Sequence, residues 1–141
     1  MINKSILFHA KSFLCWDKFP ELSIKLIPIQ DSVGFFYPPQ VKFSSIVLFY
    51  DAESLDLTEP LCLLFHEVGH YLQWEPSGLT EKFRKLFDLD KGKEKIAFEL
   101  EAWTRGEELF IEFLEKEKIN KDLLLEKYNE LKDASLATYE N

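Results

Sequence analysis

The distribution of proline constrains this chain more than any other feature. All six prolines, at positions 20, 28, 38, 39, 60 and 76, fall in the first 76 of 141 residues. Proline removes a backbone donor and is excluded from helix interiors, so the first half is the place for strands and turns. The proline-free remainder is rich in Glu, Lys and Leu and suits long helices. Together these halves predict an α+β fold. Residues 3–18 carry the apolar pattern of an opening helix that stops near Pro20. Three short strands follow. Ser23–Ile29 alternates and is held to an edge or strand end by Pro28, and Gly34–Tyr37 closes on the Pro38-Pro39 pair. Ser45–Tyr50 is β-branched and apolar. Helices are expected over 58–74, 79–89, 93–118 and 121–134, with Thr58 as the cap of the first, Pro60 in its first turn, and Pro76 and Gly78 as its stop.

At 16.6 kDa the chain is expected to form one domain, residues 1–141, with a sizeable core. Its net charge of −8 disfavours nucleic acid as a partner. No apolar run approaches the roughly 20 residues that span a bilayer, and no membrane partner is expected. Two cysteines, Cys15 and Cys62, make no disulfide framework, which points to a reducing, cytoplasmic setting.

The chemistry is concentrated in His66-Glu67-Val68-Gly69-His70. On a helix, residues four apart lie on one face, so two imidazoles can bind one Zn²⁺, while Glu67 beside them can take a proton from a metal-bound water. Two of the three histidines in the chain belong to this HExxH motif. Leu61, Leu64, Phe65, Val68 and Leu72 form an apolar stripe that anchors the helix away from the histidines. Gly69 costs about 1 kcal/mol in a helix interior, which a closely approaching backbone or substrate would explain.

A catalytic zinc usually has three protein ligands, so a third is needed. His9 and Glu101 are candidates, but Glu99 is favoured. At ~100° per residue, Ile96, Leu100, Trp103, Phe110, Phe113 and Leu114 share its half of the 93–118 helix, whereas Glu101 lies with Arg105, Glu108 and Glu112. A carboxylate on an apolar face needs a cation, either a metal or a core Arg or Lys. Ala102 and Gly106 beside it would let this helix come close to the histidine helix. Glu107 borders the same face, as a boundary residue or as an acceptor for a ligand histidine. Tyr71, Trp74 and Trp103 are candidates for lining a substrate cleft, with the core the favoured place for both tryptophans and for Cys62.

With HEVGHYLQ and, 29 residues after His70, ELEAW in place, the chain resembles the small gluzincins, most closely the ImmA/IrrE-type metallopeptidases. The resemblance covers about residues 30–115 and is strong at the two motifs. It implies a zincin-like fold, with His66, His70 and Glu99 as zinc ligands and Glu67 as the general base. Family members commonly act on regulatory proteins. After Glu99 the chain reads Ala102-Trp103-Thr104-Arg105-Gly106-Glu107-Glu108-Leu109, without the family's Leu-Met-Pro end.

The expected function is a zinc-dependent endopeptidase with one Zn²⁺ per chain, acting on an intracellular protein or peptide. The alternative is a zincin-fold binding or regulatory protein that holds metal without turnover. Tyr37, Tyr50 and Tyr71 are open candidates for the oxyanion donor.

Overall fold

The computed structural model describes residues 1–29, 31–38, 44–77 and 80–141, with the backbone alone for 75–77 and 80. Its elements are α1 (Lys4–Ser12), continued by a π-helical stretch (Phe13–Lys18), β1 (Leu22–Ile29), β2 (Val33–Tyr37), β3 (Ser44–Asp51), α2 (Thr58–Ser77), α3 (Thr80–Phe87), α4 (Lys93–Lys116) and α5 (Lys121–Ala137). This is an α+β architecture with a small mixed sheet. Pro39 and Gly78 lie outside the described residues.

Local chemistry sets the helix ends. The Asn3 side chain accepts from the Ile6 amide at 3.0 Å and opens α1. Thr58 does not cap α2 with its own hydroxyl. Asp56 takes that place, its Oδ1 accepting from the Thr58 hydroxyl at 2.6 Å, the Thr58 amide at 3.2 Å and the Ile2 amide at 3.1 Å. A carboxylate accepts all three at once, where a hydroxyl would spend part of its bonding as a donor. These bonds, led by the Thr58 hydroxyl, hold Asp56 below the ordinary carboxylate range. Pro76 does not end α2, which runs to Ser77.

The sheet order is β1-β3-β2. β1 pairs parallel with β3, from Leu22↔Ser44 to Ile29↔Asp51, and β2 pairs antiparallel with β3, with Gly34 opposite Leu48 and Phe36 opposite Ile46. β3 is therefore the central strand, in keeping with its unbroken apolar run. Its alternate residues Ile46, Leu48 and Tyr50 are buried on the face that packs under α2. Around α2, burial is almost continuous, from Leu57 and Leu61 through Phe65, Val68 and Tyr71. None of the described helices is long and apolar enough to cross a membrane.

The decisive contact lies between α2 and α4. A Cβ placed on Gly69 would fall inside the van der Waals envelope of the Ala102 carbonyl, and one on Gly106 inside that of the Phe65 carbonyl. The two helices thus meet backbone to backbone, which only small residues allow. Phe65, Phe110, Phe113 and Tyr128 fill the space beside the crossing, with Phe65 and Phe110 5.0 Å apart. Leu100, placed by its wheel angle near the buried face, is 41% exposed. α4 turns Phe98, Glu99, Ala102, Trp103 and Gly106 inward instead. Alanine at position 69 gains helix propensity yet overpacks this crossing. Gly69→Ala is expected to lower unfolding free energy in urea by about 1–3 kcal/mol; equal or greater stability would contradict the close approach.

Candidate metal centre

Among the described residues, the buried polar or charged side chains are Ser44, His66, Glu67, His70, Gln73, Lys95 and Glu99. All but Ser44 belong to one cluster between α2 and α4. His66, Glu67 and His70 form a buried group whose donor atoms lie within 4.8 Å of one another and that can hold a metal ion. The helical spacing of four brings the two imidazoles together edge to face, with ring centroids 4.8 Å apart and planes at 68°.

The backbone crossing at Gly69 and Ala102 brings Glu99 against both rings. One of its carboxylate oxygens lies 3.3 Å from His66 Nε2, and both are 3.2 Å from His70 Nε2. Glu101 does not join them. It is exposed, pairs with Arg105 at 3.4 Å and accepts from Gln73 Nε2 at 3.2 Å. His9 is also remote, held by Glu117 at 2.6 Å on the surface. Cys62 is in the core, where burial pushes its thiol up to about 12, far from a thiolate ligand.

Aromatic rings fix both imidazole planes. Trp103 stacks on His66 at 4.1 Å and 18°, and Phe98 stacks on His70 at 5.3 Å and 29°. Trp103 is at once core and site wall, held by the Tyr128 hydroxyl donating to its carbonyl at 2.5 Å. His66 Nδ1 has no hydrogen-bond partner among the described residues, and His70 Nδ1 is taken by Gln73, so Glu107 serves neither ring.

Two side chains of the cluster, Gln73 and Lys95, carry no motif. Their signal in the sequence is helical spacing alone: Gln73 lies three residues after His70, and Lys95 four before Glu99. Gln73 decides the chemistry of His70. Its amide nitrogen donates to the Phe98 carbonyl at 2.7 Å, so the oxygen facing His70 Nδ1 at 2.8 Å is an acceptor and the histidine nitrogen must be the donor. Neutral His70 then turns the lone pair of Nε2 toward the Glu99 carboxylate. Lone pair and anion repel at 3.2 Å, so a cation belongs between them: a proton or a metal. Burial acts to lower the His70 pKa, but Glu99, Glu67 and Gln73 outweigh it and the net direction is up. Burial likewise acts to raise Glu99, yet His66 and His70 carry it far below the carboxylate range.

The cluster opens on a cleft of about 580 Å³ whose walls include β2, Phe87, Tyr139 and the Glu67 side chain. Gly34 of β2 passes directly over Glu67, since a Cβ there would come within 2.9 Å of the glutamate side chain. Of the tyrosines considered as oxyanion donors, Tyr50 and Tyr71 are buried in the core and Tyr37 is on the cleft wall. Tyr139, from the turn after α5, is a second phenol there.

No protein-family model, curated protein or solved structure matches the chain. Two-bond ¹H–¹⁵N spectra are expected to show His70 protonated at Nδ1; a bare Nδ1 would overturn the Gln73 assignment.

Proposed function

We propose that this chain is a zinc-dependent endopeptidase of zincin type, with His66, His70 and Glu99 as ligands and Glu67 as general base. The observation that carries this reading is the convergence of two Nε2 atoms and a buried carboxylate, with the outer nitrogen of His70 committed to Gln73. Donors at 2.0–2.1 Å from a tetrahedral ion stand about 3.3 Å apart. The separations of 3.2 and 3.3 Å between carboxylate and imidazoles match that spacing. The second-sphere acceptor Gln73 is of the kind that ligand histidines require. The resemblance to ImmA/IrrE-type metallopeptidases at HEVGH and ELEAW supports the same three ligands.

Zinc bound by these donors supplies a Lewis acid that polarises the scissile carbonyl and makes its water acidic near neutral pH. The rest falls to the chain. Glu67 lies beside the histidines on the cleft wall, takes the proton from the attacking water and delivers it to the leaving amine. β2 is the edge strand on the cleft and offers its backbone for pairing with an extended peptide. β3, which holds Ser45–Tyr50, is internal in the sheet and has no free edge for such pairing. Gly34 keeps β2 close to Glu67, so a peptide paired there would pass within reach of the base. The substrate is an intracellular protein or peptide, and a regulatory protein is the class that the family resemblance suggests.

A second reading, a metal-holding binding protein without turnover, is favoured by the depth of the ligands: His66, His70 and Glu99 are all at most 6% exposed. The Glu67→Gln variant separates the two. It is expected to keep one zinc per chain and lose peptide hydrolysis by about 100-fold or more. Undiminished cleavage would remove Glu67 from the base role. Zinc retained by a wild type that cleaves no peptide library would favour the binding protein.

A further inference from the structure

One member of the cluster has no part in the scheme above. Lys95 stands one helical turn before Glu99 and is only 5% exposed. Its Nζ lies 3.3 Å from Glu99 Oε2 and donates to the Phe87 carbonyl at 2.6 Å. Three rings surround the ammonium, Phe87 and Tyr139 at 5.3 Å and Phe98 at 5.6 Å. A buried ammonium is tolerated only when it is paired and hydrogen-bonded, and every contact of this one secures it. The carboxylate that faces the two imidazoles thus also meets an ammonium at Oε2.

We propose that Lys95 is a charge-setting residue for the metal centre, sharing one oxygen of Glu99 and keeping zinc affinity below what the same three donors would give alone. This rests on the zinc reading. Two effects oppose each other. The ammonium orders Glu99, which favours the metal, but it also shares the anion and repels a divalent charge. Glu99 is already held by its own helix and by contact with both imidazoles, so ordering adds little. Repulsion between charges on one carboxylate in a buried site is strong and weakly screened, and it wins. The centre then takes up zinc reversibly, and its extra positive charge suits the anion that develops during hydrolysis.

The test is zinc affinity, measured by competition with a chromophoric chelator on the full chain, for wild type, Lys95→Gln and Lys95→Arg, with circular dichroism on each. Glutamine keeps a donor for the Phe87 carbonyl without the charge, and arginine keeps the charge. Lys95→Gln is expected to bind zinc about tenfold tighter or more, and Lys95→Arg to stay within about threefold of wild type. Should Lys95→Gln fail to fold, Lys95→Met carries the same expectation. Equal or weaker binding by the neutral variants, with wild type still binding zinc, overturns the role of Lys95 alone. No zinc on any of the proteins overturns the metal reading, and the role of Lys95 with it.

Discussion

The site depends on the place where α2 and α4 touch through their backbones. Gly69 against the Ala102 carbonyl and Gly106 against the Phe65 carbonyl bring two helix axes closer than ordinary side chains permit. Only at that separation does the short side chain of Glu99 reach both His66 and His70. Larger residues at the crossing would leave a buried carboxylate facing two imidazoles across a gap, which neither a proton nor a metal could bridge well. The helix-propensity cost of two glycines, about 1 kcal/mol each, is small against a buried charge left without a partner.

That crossing also explains why so many polar groups tolerate burial together. Most are partnered by another member: Gln73 links His70 to the Phe98 carbonyl, Glu99 spans both histidines, and Lys95 ties Glu99 to the Phe87 carbonyl, while His66 Nδ1 has no partner among the described residues. Stacking by Trp103 and Phe98 locks the ring planes, so the donor atoms are organised before any ligand arrives. Low local dielectric makes such a network strong when complete and costly when one member is missing.

Much of this was legible in the sequence, because the signals were local. Proline placement separated the strand-bearing half from the helical half, and the β-branched run at Ser45–Tyr50 marked the strand that proves central. Four-residue spacing put His66 and His70 on one face, and the apolar setting of Glu99 distinguished it from Glu101. What escaped was set by partners distant in sequence. Asp56 displaces Thr58 as the cap because it also ties down Ile2 across 54 residues. Leu100 is exposed because the crossing at Ala102 and Gly106, rather than the mean of the apolar arc, fixes the rotation of α4. Lys95 carries no motif of its own in the sequence. It is buried because Glu99 offers the anion, so of the two partners weighed for that carboxylate, a metal or a core lysine, the lysine stands beside it.

We propose a single zinc site made by His66, His70 and Glu99. Elemental analysis of wild type and Glu99→Ala, purified in parallel without chelator, tests it most directly. About one zinc per wild-type chain, lost or greatly reduced in the variant, is the predicted result. Absence of zinc from wild type after reconstitution would contradict it, leaving the cluster a proton-bridged core of two histidines, a glutamate and a lysine.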